Sequence, residues 1–337
     1  MDCNHPANTD PLFPNTCVAA SCCLRKSKEK PLERKSMDVS QEELEPRTEE
    51  RPGKRRRTET EEKGTQTIKT AKLPVYYTMG GPLGKGAFGD IFAGVRKLDG
   101  RKVAIKIEQK LDDAQLITLP GDTQRRPLEV ALMELVCKPP HCPYVIEMVE
   151  WFETPSYFVL VLERPEPCVD LYWYCRCLHN SLSEHQVKII MEKVIWAVLH
   201  CHERGVFHRD IKEENILINP QTLEVKLIDF GCGDLLKDTP YTEYSGTIIF
   251  SPPEYFTAHQ YEAEPATVWG LGVLLYSLLC GEEPFNNYLE IIKGELNLPD
   301  ELSEDSCSLI TRCLEQDPER RANLEEVITH SWFNRPE

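Results

Sequence analysis

The sequence predicts an α+β fold with two lobes, the first rich in β-strands and the second rich in α-helices. Three observations predict it: short β-prone runs before residue 110, a helical apolar spacing beyond residue 180, and no internal repeat. With 337 residues, 41% of them apolar, the chain can bury a large core as one two-lobed domain or as two ordinary ones.

Residues 1–74 are predicted to form a disordered leader before a folded domain over 75–337. The leader is rich in Pro, Ser, Thr, Lys and Glu without a sustained period, so it would bury too little apolar surface to order itself. The basic run at 54–57 is either a nuclear import signal or a solvated charge run. Thr60, which follows that run, is a candidate for self-phosphorylation.

The acidic charge of the chain is concentrated in its predicted folded part. The net charge is −16, and the first 70 residues hold 14 basic and 13 acidic residues, which leaves 25 and 42 for the rest. This balance suits basic peptides or protein tails and argues against nucleic acid or an anionic membrane as a partner, although solubility alone would also explain it. We expect a monomer.

The cysteines and the first residues indicate the compartment. The 14 cysteines are scattered, and residues 1–10 lack a basic start with an apolar core, so we expect a reduced, cytoplasmic or nuclear protein. The longest apolar run, 268–279, is interrupted by two glycines and is shorter than the roughly 20 residues of a membrane span. We therefore expect a buried core helix there.

Antiparallel strands are predicted at 90–95 and 102–107, because both runs are β-prone and an Asp-Gly turn at 99–100 separates them. Further along, Ser183 and Gln186 form a capping-box pattern that predicts the start of a long helix. The apolar face of that helix would comprise Val187, Ile190, Met191, Val194, Ile195, Val198 and Leu199.

A glycine-rich loop precedes the first of these strands. Residues 84–89 read Gly-Lys-Gly-Ala-Phe-Gly, and the missing side chains would let backbone N–H groups approach phosphate oxygens. A structural turn and a dinucleotide-binding loop share this pattern. A dinucleotide-binding loop should open a helix, whereas a β-prone run follows Gly89, so the sequence favours a hairpin lid. An NAD-dependent oxidoreductase is the more distant alternative.

Lys106 ends a β-prone Val-Ala-Ile-Lys stretch, and from there its ammonium could bind the α- and β-phosphates of a nucleotide. A helix carboxylate has to hold this ammonium in position. Glu129 is predicted to be that carboxylate, and Glu134, on the same candidate helix, is the alternative.

Two further segments supply the groups that phosphoryl transfer needs together. Residues 208–215 read His-Arg-Asp-Ile-Lys-Glu-Glu-Asn, and residues 227–231 read Leu-Ile-Asp-Phe-Gly. Asp210 would orient and deprotonate a hydroxyl, and Lys212 would neutralise charge on the migrating phosphoryl group. Asn215, also counted as catalytic, and Asp229 offer the oxygen ligands that Mg²⁺ prefers.

These motifs resemble the eukaryotic protein kinases over about residues 83–332. The resemblance implies a bilobal fold with an N-lobe at about 75–162, a hinge at 163–167 and a C-lobe at 168–337. It also implies ATP and Mg²⁺ as cofactors. The residues then expected to contact ATP are Leu83, Gly84, Lys85, Gly86, Ala87, Phe88, Gly89, Asp90, Ile91, Ala104, Lys106, Glu129, Leu162, Glu163 and Asp170.

Within that superfamily, Lys212 and Thr247 resemble the Ser/Thr branch, and a pair between Glu254 and Arg321 is implied. Residues 163–167 and 239–247 resemble the Pim kinases. The hinge would then contain Pro165, which has no N–H, so the adenine would lose a hinge hydrogen bond and rely on the Glu163 carbonyl and apolar contacts.

Pim kinases prefer arginine-rich substrates, and Asp170, Glu214 and Glu282 match acids that the family aims at substrate arginines. Trp173 and residues 286–289 stand where relatives have further acids. The resemblance therefore implies Ser/Thr-containing basic protein substrates, with a preference that is weaker or shifted.

Pim kinases also do not depend on phosphorylation of the activation segment. Arg209, which usually binds a phosphate on that segment, is expected to meet Glu243, an acid that matches the Pim pattern. Constitutive activity follows as a hypothesis. The alternative is that Thr242 or Ser245 must be phosphorylated.

Several cysteines and histidines are expected to be ordinary packed residues. Cys175, Cys177 and His179 could suggest a metal site, but no fourth ligand with zinc-like spacing follows, so ordinary core or surface residues are favoured. His208 is expected to pack beneath the catalytic loop, and Cys232 to be a buried neutral thiol.

The alternative from another functional class is a pseudokinase, which keeps the fold and regulates a partner without phosphoryl transfer. Such proteins usually lack the lysine, the base or the metal-binding aspartate. Lys106, Asp210, Asn215 and Asp229 are all present, which favours an enzyme.

Overall fold

The computed structural model describes residues 73–85, 89–110 and 116–334. The predicted leader lies outside the described residues up to residue 72, together with its basic run and Thr60. Leu73 and Pro74, which the sequence placed in the leader, instead begin a short helix. There Leu73 packs against the sheet core, and the Pro74 carbonyl accepts a hydrogen bond from Lys97 at 2.7 Å.

The first part of the chain is rich in strands, as predicted. Its elements in chain order are α1 (Leu73–Tyr76), β1 (Tyr77–Lys85), β2 (Asp90–Arg96), β3 (Lys102–Gln109), β4 (Leu116–Ile117), β5 (Arg126–Pro127), α2 (Leu128–Val136), β6 (Met148–Glu153) and β7 (Tyr157–Glu163). Five of the strands form an antiparallel sheet in the order β1-β2-β3-β7-β6.

The two strands predicted from β-prone runs are β2 and β3, and the Asp-Gly turn joins them. Gly100 closes this turn with a φ of 74°, a left-handed conformation that glycine adopts without steric cost. Helix α2 covers one face of the sheet, where Val130 packs with Phe158 and Leu160. The register of β3 places Lys106 opposite Leu160 of β7, on the sheet that α2 covers.

The second part is mainly helical. Its elements are β8 (Val169–Asp170), α3 (Leu171–Cys177), α4 (Glu184–Glu203), β9 (Val206–Phe207), β10 (Ile216–Ile218), β11 (Val225–Leu227), β12 (Asp234–Leu235), α5 (Pro253–Thr257), α6 (Ala263–Cys280), α7 (Tyr288–Lys293), α8 (Glu304–Cys313), α9 (Leu324–Ile328) and α10 (Ser331–Asn334). Short 3₁₀ turns occur at Glu213–Asn215 and Ile248–Phe250. Together the two parts confirm the α+β, bilobal fold. The exact limits of the lobes and of the hinge stay predictions.

The long helix predicted from the capping box is α4. The amide of Gln186 donates to the Ser183 hydroxyl at 3.2 Å, and the Ser183 amide donates to the Gln186 side chain at 3.0 Å, so both halves of the box form. Six of the seven predicted face residues are buried, and Leu199 is half-buried.

Helix α6 contains the predicted core helix and lies at the centre of the second part. Its 18 residues have a mean hydropathy of 1.3, which would suit a membrane span by length and composition, yet 72% of the helix is buried within the protein, as in a core helix. Gly272 lets α8 approach, because a Cβ there would lie 2.7 Å from Cys313.

Candidate active site

The predicted catalytic groups meet between the sheet and the helical part. Lys106 comes from β3 and Glu129 from α2, whereas Asp210 and Asn215 lie between β9 and β10. Asp229 follows β11. A backbone hydrogen bond of 2.9 Å from the Ile228 amide to the Asn215 carbonyl ties the last two loops together.

Asp210 is the centre of the hydrogen-bond network. Its Oδ1 accepts hydrogen bonds from the amide and the hydroxyl of Thr247, at 2.9 and 2.8 Å. Its Oδ2 lies 2.8 Å from the ammonium of Lys212 and accepts a hydrogen bond of 2.8 Å from the side-chain amide of Asn215. Each carboxylate oxygen is therefore held in place.

The protonation state of Asp210 follows from these neighbours. Burial would raise its pKa, but the Lys212 ammonium and the Thr247 hydroxyl outweigh burial, and the pKa lies below its usual value. The ionised carboxylate can accept a hydrogen bond from a substrate hydroxyl. A base of low pKa orients that hydroxyl early and takes its proton late, which suits a reaction that depends mainly on positioning.

His208 supports the catalytic loop from below, as expected. Its Nδ1 accepts a hydrogen bond from the Asp210 amide at 3.3 Å, and its Nε2 contacts the Ile228 carbonyl at 3.0 Å. Its ring packs edge-on against Phe230, with the ring centroids 4.9 Å apart. Burial lowers the pKa of His208, so the imidazole is neutral and links the two loops.

Asp229 and Asn215 present the oxygen donors proposed for a metal ion. Asp229 has a φ of 63° and its Oδ1 lies 3.2 Å from the Lys106 ammonium. Burial raises the pKa of Asp229, but Lys106 outweighs burial and keeps the carboxylate ionised. The amide nitrogen of Asn215 is occupied by Asp210, which leaves its carbonyl oxygen as a donor for a cation.

Lys106 is buried and forms the predicted ion pair. Its ammonium lies 2.7 Å from both carboxylate oxygens of Glu129. The alternative acid, Glu134, points elsewhere: it binds the guanidinium of Arg126 and accepts a hydrogen bond from the Trp151 indole at 3.1 Å. The helix therefore presents Glu129 to the lysine and Glu134 to a different cation.

Glu108 is a member of this cluster that the sequence reasoning missed. It lies on β3 two residues after Lys106 and hence on the same face, with its Oε1 2.8 Å from the ammonium. Burial raises the pKa of Glu129; Lys106 opposes this, and Glu108 adds to it. Three carboxylates thus surround one ammonium. The strand period could have indicated this neighbour.

The residues expected around the nucleotide occupy β1, β2, β3 and β7. Leu83, Gly84 and Lys85 end β1, Asp90 and Ile91 begin β2, and Ala104 pairs with Leu162 across β3 and β7. Gly86, Ala87 and Phe88 lie outside the described residues. A Cβ on Gly89 would lie 2.3 Å from the Ile107 carbonyl, so only glycine fits there. The roles of these residues stay predictions.

The predicted hinge is fixed by several contacts. The amide of Glu163 donates to the Glu147 carbonyl at 2.9 Å, and its carboxylate pairs with Lys226 at 2.6 Å. Pro165 has no N–H to offer, and its carbonyl accepts a hydrogen bond from the Cys168 thiol at 2.8 Å. Any donor to an adenine must therefore come from another hinge position.

The activation segment, residues 229–254, is anchored to the helical part by the expected ion pair. Two parallel hydrogen bonds of 2.9 Å join Arg321 to Glu254, and both residues are buried. The expected contact between Arg209 and Glu243 is not formed among the described residues. Glu243 is exposed, and Arg209 binds residues 232–234 instead.

The three predicted substrate acids have different surroundings. Asp170 caps α3 by accepting a hydrogen bond of 2.7 Å from the Trp173 amide, and burial raises its pKa. Glu214 and Glu282 are exposed. The sequence reasoning missed Glu213, a buried carboxyl that accepts a hydrogen bond of 2.5 Å from Ser277 and whose pKa burial raises to about 7.

The cysteines do not form a metal centre in the part of the chain that the structure describes. No cluster of three or more His, Cys, Asp or Glu side chains there is arranged to hold a metal ion. Cys175 is half-buried and Cys177 is exposed, in keeping with ordinary core and surface residues. Cys232 is half-buried rather than buried, and this partial burial raises its pKa, so the thiol is neutral.

Comparison with known proteins adds independent support. The profile of the protein kinase domain family matches residues 77–333. The serine/threonine-protein kinase pim-2 of Danio rerio is 41% identical over 263 residues, which cover 76% of this chain and 84% of that protein. The serine/threonine-protein kinase prk-2 of Caenorhabditis elegans is 33% identical over 78% of this chain and 59% of its own length. The serine/threonine-protein kinase ppk6 of Schizosaccharomyces pombe is 32% identical over 77% of this chain and 33% of its own length.

The extent of these matches and the assembled catalytic groups lead to one conclusion. The family profile spans both the sheet and the helices, and the matched region contains Lys106, Asp210 and Asp229. The chain belongs to the protein kinase domain family and is a eukaryotic Ser/Thr protein kinase similar to the Pim kinases.

Proposed function

We propose that this kinase transfers the γ-phosphoryl group of ATP, with Mg²⁺, to Ser or Thr in basic protein substrates, and that it is active without phosphorylation of its activation segment. The observation that supports catalysis best is the complete set of contacts around Asp210 and Lys106. The family implies ATP as the phosphoryl donor.

The donor set fits the proposed cofactors. Asp229 and Asn215 offer a carboxylate and an amide oxygen, the hard ligands that Mg²⁺ takes. When bound, Mg²⁺ would neutralise charge on the phosphates. Lys106 would bind phosphate oxygens while Glu129 holds its ammonium, and Asp210 would orient the substrate hydroxyl.

A pocket beside the catalytic loop supports the proposed basic preference. Its volume is about 180 Å³, and three of its lining residues are the acids Glu213, Glu282 and Glu283. A guanidinium can form charge-assisted, bidentate hydrogen bonds with such carboxylates. Tyr172 and Arg176 also line the pocket, and the guanidinium of Arg176 lies over the Tyr172 ring, 5.7 Å from its centroid, so the three acids outnumber the one lining cation. Glu213 thereby joins Glu214 and Glu282 as a proposed substrate contact.

The arrangement of the activation segment supports the proposed independence from phosphorylation. The Lys106–Glu129 pair is formed, and Phe230 is buried against His208 in an unmodified chain. Thr247 already contacts Asp210. An unmodified segment that reaches the catalytic base in this way has no evident need of a phosphate to order it.

A peptide-library assay on phosphatase-treated protein tests both parts of the proposal. We expect arginine to be selected at one or more positions near the acceptor, and we expect wild-type activity to survive the treatment. Glu282→Gln should weaken the selection, whereas Glu301→Gln, a change to an exposed acid outside the pocket, should leave it intact. An unselective library, or activity that is lost on dephosphorylation, would contradict the respective part.

We also propose that the protein acts as a monomer in the cytoplasm or nucleus, without nucleic acid or membrane partners. The buried cysteines Cys201 and Cys313 are free thiols, in keeping with a reducing compartment. Light scattering of the purified chain and imaging of a tagged copy test these points. A stable dimer or a membrane-bound signal would contradict them.

A further inference from the structure

Arg209, the neighbour of the catalytic Asp210, binds three consecutive residues of the activation segment. Its Nε donates to the Cys232 carbonyl at 2.5 Å, and its Nη2 donates to the Gly233 carbonyl at 3.0 Å. Its Nη1 lies 3.7 Å from Oδ2 of Asp234. Only 12% of the arginine side chain is exposed, so this cation is largely removed from water and benefits from a carboxylate.

Glu243 does not supply that carboxylate. Its side chain is exposed, and its backbone carbonyl accepts a hydrogen bond of 2.9 Å from the Tyr261 hydroxyl. Within residues 116–334, the carboxylate paired with Arg209 is that of Asp234. The acid expected from the family pattern is thus replaced by one much nearer in sequence to Asp229.

The position of Asp234 is fixed by the local backbone. Asp234 opens β12 and pairs with Phe207 of β9, the strand that leads directly into Arg209. The amide of Leu235 donates to its Oδ1 at 2.9 Å, which orients Oδ2 toward the cations. Lys237 lies 3.9 Å from the same oxygen, but its side chain is 45% exposed, so solvent weakens that pair more than the pair with Arg209.

The segment that Arg209 holds lies against the helix that presents Glu129. A Cβ on Gly233 would come within 2.6 Å of the Leu132 side chain of α2. Displacement of residues 232–234 would therefore disturb the packing of α2, and with it the position of Glu129 beside Lys106. The backbone of Arg209 directly precedes the catalytic base, Asp210, in the chain.

We propose that Asp234 is a positioning residue that neutralises Arg209 and so holds residues 232–234 in place without a phosphate on the activation segment. The inference rests on the proposed function, because it explains how the segment could be ordered while unmodified. Asp234 acts through Arg209 and contacts no reacting group. It would do within the chain what an added phosphate does when it pairs with an arginine.

The test compares phosphatase-treated variants in a peptide phosphorylation assay. Asp234→Asn removes the charge with little change of shape, Asp234→Glu keeps the charge, and Asp238→Asn changes an exposed neighbouring acid as a matched control. We expect Asp234→Asn to lower kcat about tenfold with the peptide KM little changed, since the two carbonyl contacts of Arg209 remain. Asp234→Glu and Asp238→Asn should stay within about threefold of the wild type.

A second readout follows the segment itself. Hydrogen exchange of the amides of residues 232–247 should accelerate in Asp234→Asn and should not accelerate in Asp238→Asn. In a double-mutant cycle, Asp234→Asn should cost no further activity once Arg209 is replaced by Gln, because the two residues act as a pair. If Asp234 and Arg209 each only supported the fold, their separate losses in kcat would add in the double variant.

The outcomes separate this inference from the proposed function. Wild-type kcat and unchanged exchange in Asp234→Asn would overturn the role of Asp234 while leaving phosphorylation-independent activity standing. A loss in Glu243→Gln with none in Asp234→Asn would also overturn it. A wild-type protein that becomes inactive on dephosphorylation would refute the proposed independence and this inference together. If Asp234→Asn does not fold, a tenfold loss in the charge-conserving Asp234→Glu would contradict the proposal, and retained activity would support it.

Discussion

Thr247 contacts the catalytic Asp210 through two groups, its amide at 2.9 Å and its hydroxyl at 2.8 Å, both directed at Oδ1. The ammonium of Lys212 lies 2.6 Å from the same hydroxyl and so completes a three-residue cluster. Because Thr247 belongs to the activation segment, the orientation of the base depends on where that segment lies. The segment and the catalytic loop therefore form one unit.

Replacement of the Thr247 hydroxyl should slow the reaction. Thr247→Val keeps the amide contact and removes one hydrogen bond to a charged acceptor, about 1.5–3 kcal/mol, so we expect kcat to fall roughly tenfold to a hundredfold. Thr247→Ser keeps the hydroxyl and should stay within about threefold. The measurement is kcat with a basic peptide, and equal rates for the Val and Ser variants would argue against the cluster.

Replacement of Glu129 should lower kcat/KM far more than replacement of Glu134, the other acid of α2. Glu129→Gln removes the carboxylate that holds Lys106 and should lower kcat/KM at least about a hundredfold, because a buried ammonium loses its main partner. Glu134→Gln is the matched control on the same helix, bonded to Arg126, and it should lower stability more than kcat/KM. Similar kcat/KM values for both variants would contradict the assignment of Glu129.

In the wild-type protein, the carboxylate of Glu108 should weaken the binding of ATP. It adds a third carboxylate beside Lys106, so part of the ammonium charge is directed away from the phosphates. Glu108→Gln should therefore bind ATP about threefold more tightly, a change of well under 1 kcal/mol. Calorimetric titration with ATP measures this, with Gln109→Glu on the next position of β3 as a charge control. Weaker binding by Glu108→Gln would show that Glu108 orients the lysine instead.

The buried carboxyl of Glu213 should make stability depend on pH. Burial raises its pKa from 4.5 to about 7, so the folded protein holds this proton more tightly than the unfolded chain does. The free energy of unfolding should then fall as the pH rises from about 4.5 to 7, by on the order of 3 kcal/mol from this group. Urea unfolding at several pH values should show this slope in the wild type and a smaller one in Glu213→Gln. Identical slopes would contradict the shifted pKa.

Much of the fold and of the candidate site could be predicted because the chemistry imposes short, local patterns. Adjacent residues were enough to identify the strand that contains Lys106, the loop from His208 to Asn215 and the turn at Asp229. The capping box at Ser183 predicted the start of α4 in the same way. Each of these elements follows from residues that are neighbours in the sequence, so its prediction needs no long-range contact.

What the sequence could not settle depends on which side chains meet across the fold. Glu129 and Glu134 lie five residues apart on one helix, and only the packing of α2 on the sheet decides which of them meets Lys106. Likewise, Arg209 meets Asp234 because β9 and β12 pair, a contact that the spacing does not reveal. The burial of Glu213 and its hydrogen bond with Ser277 also depend on packing that the neighbouring residues do not reveal.

The central claim is that this chain catalyses phosphoryl transfer with Asp210 as the base. The most direct measurement is the transfer of labelled phosphate from ATP with Mg²⁺ to an arginine-rich peptide, by the wild type and by Asp210→Asn in parallel. We expect the wild type to label the peptide and the variant to lose about a thousandfold or more in kcat while it still binds ATP. Equal labelling by both proteins, or none by either, would contradict the account and favour a pseudokinase.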